Sequence, residues 1–332
     1  MTTSPKIGII GTGNIGQIHA RVLSSLRALV GVADIDVNRA KAIGNEYGVE
    51  AFDSYETMIE TTKPDGVIIA TPTSTHAKIA LNVAEKYDVK GILIEKPLAS
   101  TIDDANKVAA ILRERKIAAI ISHSEIYNPV VNRAIALISE GVIGTPRTVI
   151  HDRRGFVHPN RIPSLGDVFE DIGVHDFDIM SRISGGKAKL YAQCLKKDDI
   201  LNAGTVLVKF ESGAEHIFLL SRQYVGRKRA MDVSGTKGTL SLDLLGQIIK
   251  VQDLDQEPTA DGRTLRLPER GTTIKVYGEP LGEVISDFLR CIEKGTKPIV
   301  GLDDGLAALE IVESARRSAI TSEVVEITVK KR

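Results

Sequence analysis

The sequence predicts an α/β protein in two parts: a doubly wound parallel sheet first, then an α+β domain with a large open, mostly antiparallel sheet. Three observations lead there. Up to residue 123, short continuous apolar runs alternate with segments of helical apolar spacing, the pattern of parallel strands covered by helices on both faces. After it the strand-like segments mostly follow one another directly, two of them joined by the hairpin-type links Glu211-Ser212-Gly213 and Gly235-Thr236-Lys237-Gly238. A chain of 332 residues is also long enough for two cores. The expected division is 1–123 and 124–332.

Ile7–Ile10 is the first strand, and Ile15–Arg27 a helix whose apolar Ile15, Ile18, Val22 and Leu26 recur at helical spacing. Leu29–Ala33 is the second strand, closed by Asp34. Val37–Tyr47 is helical and Gly48 ends it. Ala51-Phe52 is a short strand, and Ser54 caps the helix that follows. Gly66–Ala70, Gly91–Glu95 and Ile117–Ser122 are further buried strands, with helices Thr73–Lys86 and Thr101–Arg115 between them.

At His123 the rhythm changes. Asn128–Glu140 is a helix, Pro146–Asp152 a strand, Arg153–Gly166 a polar loop, and Asp167–Ile183 a helix. Strands follow at Leu190–Lys196, Gly204–Phe210, Ala214–Ser221, Lys228–Ser234, Thr239–Asp243 and Gln247–Gln252. Residues 253–271 are charged and proline-containing, as in an exposed loop. Helices at Leu281–Glu293 and Asp303–Ser318 and a strand Val324–Val329 close the chain. A large antiparallel sheet needs helices over one face; its other face suits a subunit interface.

Composition narrows the function classes. The 43 basic and 43 acidic residues cancel, so no overall field draws the chain to nucleic acid or to a membrane. No apolar run is long enough to span a bilayer. Met1-Thr2-Thr3-Ser4-Pro5-Lys6 lacks a secretory pattern, and Cys194 and Cys291 form neither a disulfide framework nor a metal spacing. Together these fit a reducing cytoplasm.

Chemistry begins at Gly11-x-Gly13-x-x-Gly16, placed between a strand and a helix. Gly11 permits the sharp turn, Gly13 lets backbone approach a pyrophosphate, and Gly16 lets helix and strand pack closely. The amides at the helix start, those of Asn14, Ile15 and Gly16, then face the phosphates, where the helix dipole favours negative charge. The alternative for this spacing alone is an ordinary glycine turn; strand, helix and a later acid in place favour dinucleotide. Asp34, a little over twenty residues beyond Gly11, suits the adenosine ribose and repels the extra phosphate of NADP. NAD is the expected cofactor; Arg39 keeps NADP open. Thr71, Pro72, Thr73 and His76 follow one strand and Glu95-Lys96-Pro97 the next, on the sheet edge where such folds bind ligands. Thr73 there also suits a helix N-cap. Lys96 on that edge can hydrogen-bond a substrate hydroxyl and stabilise developing alkoxide charge, with a surface lysine as the plain alternative.

Asp171, His175 and Asp178 fall at i, i+4 and i+7, so a regular helix puts all three on one face. Asp171 can orient His175, which then takes a hydroxyl proton as hydride leaves the same carbon. A structural Asp–His pair and a metal site compete with that assignment; no third ligand has suitable spacing, so no metal is expected. Arg153, Arg154, His158 and Arg161 precede this helix, and a basic cluster there suits a phosphate or carboxylate. Arg227-Lys228-Arg229 has the same standing, and a solvated loop accounts for both clusters equally well.

Taken in order, the glycine loop, Thr71-Pro72, Glu95-Lys96-Pro97 and Asp171-x-x-x-His175 resemble the glucose–fructose oxidoreductase / inositol dehydrogenase (Gfo/Idh/MocA) family. The resemblance runs through nearly the whole chain. It implies an N-terminal NAD(P)-binding Rossmann domain, a substrate-binding and oligomerisation domain, and a homodimer or homotetramer through the open sheet. It implies catalytic roles for Lys96, Asp171 and His175, with His175 as base. His123-Ser124-Glu125-Ile126-Tyr127-Asn128-Pro129 is similar to a run in UDP-N-acetylglucosamine 3-dehydrogenase-like members, as is Arg161-Ile162 ahead of Gly166-Asp167-Val168. Ile126 and Tyr127 depart from the arginine and phenylalanine usual there. His123, Tyr127, Arg154 and Arg161 are the substrate candidates. The resemblance implies an NAD(P)-dependent dehydrogenase acting on CH–OH groups, here the 3-dehydrogenation of a nucleotide sugar such as UDP-N-acetylglucosamine or its uronic acid. A free-sugar or inositol dehydrogenase is the alternative. A non-catalytic sugar or dinucleotide sensor is the alternative of another class, and a cofactor retained between turnovers is a further one.

Overall fold

The computed structural model describes residues 4–197, 200–253, 257–258, 265–266 and 271–332. The chain divides into two compact units, Met1–Ser124 with Glu279–Leu309, and Glu125–Gly278 with Glu310–Arg332.

In chain order the first unit contains β1 (Ile7–Ile10), α1 (Asn14–Ser25), β2 (Leu29–Ala33), α2 (Val37–Tyr47), β3 (Glu50–Phe52), α3 (Tyr55–Thr62), β4 (Gly66–Ile69), α4 (Thr73–Lys86), β5 (Gly91–Ile94), α5 (Ile102–Glu114) and β6 (Ala118–Ile121). The six strands form one parallel sheet in the order β3-β2-β1-β4-β5-β6. β1, β4 and β5 are buried along their whole length, which is why they read as unbroken apolar runs rather than alternating ones. The chain leaves β1 toward β2 on one side and returns to β4 on the other, so the strand order reverses beside β1. Ligands of open parallel sheets bind at that reversal, outside the carboxyl ends of the strands. Local signals set the helix ends: Asp36 and Ser54 accept first-turn amides of α2 and α3, and Gly48 closes α2 in the left-handed region at φ 68°.

The second unit runs through α6 (Pro129–Ser139), β7 (Pro146–Phe156), α7 (Val174–Ile183), β8 (Gly186–Lys197), β9 (Ile200–Phe210), β10 (Glu215–Ser221), β11 (Gln223–Gly235), β12 (Gly238–Asp243), β13 (Ile248–Asp253), the short pair β14 (Glu257–Pro258) and β15 (Leu265–Arg266), and β16 (Gly271–Lys275). After α8 (Pro280–Lys294) and α9 (Leu302–Thr321), β17 (Val325–Val329) completes a nine-stranded sheet, β16-β13-β12-β11-β7-β10-β9-β8-β17. All its neighbours are antiparallel except β7 and β10. On β9, Val206, Val208 and Phe210 are buried while Leu207 between them is 39% exposed, the alternation of a sheet covered on one face.

Three expectations differ from this structure. The expected division at 123/124 places α8 in the second domain, but α8 belongs to the first unit, where it packs on β5 and β6 with Phe288 and Ile292 against Gly66 and Gly91. An amphipathic helix does not encode which sheet it covers. Arg153 and Arg154 lie on β7, not in a loop, and Arg227-Lys228-Arg229 lie on β11 opposite them. The helix expected over Asp167–Ile183 opens with a wider π turn, Phe169–Gly173, before α7. The loop expected over 253–271 falls mostly outside the described residues.

Candidate active site

The glycine loop after β1 has the shape its spacing predicts. Gly11 sits at φ 95°, and a Cβ on Gly16 would lie 2.0 Å from Gly11 O, so α1 and the loop touch backbone to backbone. Gly13 has no atom within 4 Å of where its Cβ would be, and no side chain caps α1. The first-turn amides of α1, with Asn14 exposed and Ile15 half-buried, therefore border a cradle that a pyrophosphate fits.

Asp34 closes β2 on the same sheet edge. Thr12 donates to its Oδ2 through N–H at 2.8 Å and Oγ1–H at 3.0 Å, and Asp36 N–H donates to Oδ1 at 2.9 Å. Burial pushes the Asp34 carboxyl up, but these three bonds and the nearby Arg39 guanidinium together hold it below its usual range. A carboxylate offers about four acceptor directions, so one remains on Oδ1 for a ribose hydroxyl. Arg39, the residue that would hold a 2′-phosphate, is paired with Asp34 at 3.6 Å and Asp36 at 3.2 Å. Ile35 beside them is 98% exposed, an apolar shelf of the kind a flat aromatic base covers. These residues fit NAD.

The two other edge loops are braced from below. His76 is fully buried, its Nδ1 2.9 Å from Pro97 O and its Nε2 2.9 Å from Thr71 O, so it ties the Thr71-Pro72 loop to the Lys96-Pro97 loop. Burial pushes its pKa down, so the ring is neutral and donates through one nitrogen at a time. Thr73 is the first residue of α4 rather than its cap; Pro72 holds the cap position without a side-chain bond. Glu95 is 8% exposed and accepts from His19 Nε2 at 2.7 Å. Burial raises its pKa, but the His19 bond and charge outweigh that and keep it low. Lys96, half-buried, follows directly, and the Lys96–Pro97 peptide is cis.

In the second unit the π turn and α7 carry Asp171 and His175, both half-buried. A Cβ on Gly173 would meet Leu220 at 3.0 Å and Phe177 at 3.2 Å, which fixes this turn close against β10. Asp178 does not share their exposure. It is 2% exposed, accepts from Ser181 Oγ at 3.3 Å and pairs with Arg182 at 3.7 Å. The π turn breaks the regular spacing that predicted one face for the two acids and the histidine.

The basic residues expected to meet substrate are largely engaged by carboxylates. Arg153 is buried, bonded to Asp176 through Nε at 2.8 Å and Nη2 at 3.0 Å and to Glu125 through Nη1 at 2.9 Å. Burial lowers the Arg153 pKa, but Asp176 and Glu125 reverse this and raise it. Glu125 also takes Arg229 Nη1 at 3.0 Å and is held low despite its burial, whereas burial pushes Asp176 up. Arg154 grips Asp152 in a two-bond fork at 2.6 and 2.8 Å, with its guanidinium 4.7 Å over the Tyr224 ring. Lys228 reaches the same carboxylate at 2.8 Å. His123 and Tyr127 are 1% and 3% exposed, and Arg161 is exposed in a short turn, Pro159–Ser164. Among the described residues no group of three His, Cys, Asp or Glu is placed to hold a metal ion, and no helix is long and apolar enough to cross a membrane.

With the geometry established, comparison with known proteins decides the family. A family model for Gfo/Idh/MocA oxidoreductases with an NAD-binding Rossmann fold matches residues 5–123, and one for the Gfo/Idh/MocA C-terminal domain matches 131–241. The chain belongs to the Gfo/Idh/MocA family. It is an NAD-dependent oxidoreductase. It is 28% identical to an inositol 2-dehydrogenase of Rhizobium meliloti (strain 1021), over 97% of this chain and 99% of that protein. It is 30% identical to a UDP-N-acetylglucosamine 3-dehydrogenase of Acidithiobacillus ferrooxidans, over 55% of each chain. A solved structure of UDP-N-acetylglucosamine 3-dehydrogenase from Acidithiobacillus ferrooxidans superposes with a TM-score of 0.83 at 23% identity, over 96% of this chain and 99% of that one.

Sequence reasoning passed over Thr12, His19, Ile35 and Arg222. His19 had a signal: four residues after Ile15 and three before Val22, it sits on the apolar face of α1, where an imidazole needs a buried partner. Ile35 had one too, an isoleucine in a turn between two aspartates. Thr12 and Arg222 had none.

Proposed function

We propose that this family member oxidises a secondary hydroxyl on a sugar or cyclitol ring, with Lys96, Asp171 and His175 as its catalytic residues. NAD, when bound, supplies the hydride acceptor. Asp171 orients the His175 imidazole, and His175 takes the hydroxyl proton. The Lys96 ammonium hydrogen-bonds a substrate hydroxyl and stabilises developing alkoxide charge. Gly11, Gly13 and the first-turn amides of α1 hold the pyrophosphate, Asp34 the ribose and Ile35 the adenine; His76 and Glu95 act indirectly, by fixing the loops above them.

The observation that bears on the substrate is that Arg153 and Arg154 already carry carboxylate partners, two bonds each to Asp176 and Asp152. A diphosphate would have to displace them. That supports an uncharged cyclitol or free sugar as the first reading. A nucleotide sugar is the second, favoured by the 30% identity to a UDP-N-acetylglucosamine 3-dehydrogenase and by the His123–Pro129 run. The exposed face of the nine-stranded sheet, with Leu195 68% and Leu207 39% exposed, is the surface through which a homodimer or homotetramer would form.

The test is reduction of NAD, followed optically, with myo-inositol, glucose, N-acetylglucosamine, UDP-N-acetylglucosamine and its uronic acid. Turnover of the uncharged compounds supports the first reading. Turnover confined to nucleotide sugars supports the second. Lys96→Met and His175→Asn should each lower kcat by at least about 100-fold; unchanged turnover in either removes that residue from the mechanism.

A further inference from the structure

We propose that Arg222 is a positioning residue for Asp171 and, through it, sets the proton affinity of His175. This rests on the reading of Asp171 and His175 as the proton-transfer pair. Arg222 occupies the bend between β10 and β11, where its N–H donates to Asn202 O at 3.1 Å and its carbonyl accepts from Val157 N–H at 2.9 Å. Its side chain is 0% exposed. Nη1 donates to Gly166 O at 2.8 Å, and Nη2 to Leu201 O at 3.2 Å and Asn202 Oδ1 at 2.8 Å.

Those three acceptors fix the plane of the guanidinium, but all are neutral. They leave its charge uncancelled, and a buried unmatched charge is costly. Asp171 supplies the match: its Oδ2 lies 3.5 Å from Arg222 Nη1, and its side chain is only 13% exposed. The same guanidinium anchors the approach to Asp171, because Gly166 leads into the π turn. There Asp167 Oδ1 accepts from the amides of Phe169 at 3.0 Å and Glu170 at 2.9 Å, and Arg316 Nε holds Asp167 Oδ2 at 2.5 Å. Several charged groups on the surrounding elements have partners of their own. Arg153 pairs with Asp176 and Glu125, Arg316 with Asp167, Glu170 and Glu313, Arg182 with Asp178, and Arg133 of α6 with Glu140. His151 and His216 bond to each other.

A carboxylate that faces a guanidinium holds a neighbouring imidazolium less tightly than a lone one does. Arg222 therefore holds the Asp171 carboxylate in place and offsets part of the charge it presents to His175. Removing the guanidinium leaves the full carboxylate charge to His175, whose pKa then rises.

The experiment is an NMR titration of histidine-labelled full-length protein, with His175 assigned by the signal lost in His175→Gln. In Arg222→Met the His175 pKa should rise by about one unit, and in Arg222→Lys, which restores a cation, it should return toward the wild-type value. An unchanged His175 titration in folded Arg222→Met overturns the proposal. Should Arg222→Met not fold, the stability of Asp171→Asn decides. Asp171→Asn should melt well below wild type, and Asp171→Asn/Arg222→Gln should regain part of that loss, since no charge is then left buried; strictly additive losses overturn the pairing. Turnover by His175→Asn is scored separately. If that variant stays active, the catalytic assignment fails even where the titration shows Arg222 and His175 to be coupled.

Discussion

The imidazole Nε2 of His19 donates to Glu95 Oε1 at 2.7 Å, with His19 fully buried and the Glu95 side chain 10% exposed. A carboxylate one residue before the proposed catalytic lysine is thus anchored to α1, the helix whose first turn faces the cofactor cradle. His19→Ala should cost about 2 kcal/mol of stability at neutral pH, the scale for leaving a buried charged acceptor without its donor. His19→Gln, which keeps a donor, should cost less. The sign with pH follows from Glu95, whose folded pKa is depressed. Its contribution is full above its unfolded value near 4.5 and is lost as pH falls through the folded value. Urea unfolding of wild type and both variants at pH 7 and pH 4 measures this; equal stability of His19→Ala and wild type at pH 7 would refute it.

Gly13 and Gly16 belong to one motif and should fail differently. A Cβ on Gly16 meets Gly11 O at 2.0 Å, so Gly16→Ala should destabilise the first unit outright. A Cβ on Gly13 meets nothing within 4 Å, and Gly13 sits at φ −66°, a conformation alanine accepts. Gly13→Ala should therefore melt near the wild-type temperature and bind NAD at least about 10-fold more weakly, the methyl occupying pyrophosphate space. Calorimetric melting and titration with NAD separate the two. Tight NAD binding by Gly13→Ala would mean that the pyrophosphate lies elsewhere.

What was legible in the sequence is what local chemistry decides. Strands β1, β4 and β5 showed as unbroken apolar runs because helices bury both their faces, and Asp34 showed by its place after β2. What long-range pairing decides was hidden. Arg153 and Arg154 looked like loop residues because adjacent arginines rarely enter a sheet; the carboxylates that admit them are Asp152 next door and Glu125 and Asp176 far along the chain. The π turn was hidden for another reason. Nothing in the spacing of Asp167–Ile183 marks the wider turn at Phe169–Gly173, and Asp178 is buried while Asp171 and His175 are half-buried. Arg222 could not be singled out, since its importance lies in Gly166, Leu201, Asn202 and Asp171, none of them near it in sequence pattern.

His151 and His216 form a buried chain that makes the fold acid-sensitive. His151 Nε2 lies 3.1 Å from His216 Nδ1, and His216 Nε2 lies 2.9 Å from Ser184 Oγ. Burial drives the His151 pKa to about 3 and pushes His216 well below its usual value. Below the unfolded value near 6.5 the unfolded chain takes up protons that the folded chain refuses, so stability falls as pH drops from 6.5 toward 3. The loss approaches about 1.4 kcal/mol per pH unit per histidine. Melting temperatures from pH 7.5 to 5 should fall for wild type and fall less for His151→Gln/His216→Gln. That difference also isolates the histidines from Asp176, whose raised pKa acts with the opposite sign. Parallel curves would refute the effect.

Asp34 should set the choice between NAD and NADP. Its carboxylate is held ionised by Thr12, Asp36 and Arg39, so a 2′-phosphate brought to the ribose position meets a negative charge. Asp34→Ser removes that charge and releases Arg39, leaving the guanidinium of Arg39, 47% exposed, to pair with the phosphate. The ratio of kcat/KM for NAD over NADP should drop by at least about 10-fold, a change of roughly 1.4 kcal/mol in transition-state binding. Thr12→Val separates orientation from charge. It removes one of the three bonds to Asp34 without altering the net charge, so it should weaken NAD without improving NADP. Steady-state kinetics with both cofactors on the three proteins read this directly. A gain in NADP use by Thr12→Val as large as that of Asp34→Ser would show that the bonding of Asp34, rather than its charge, excludes the phosphate.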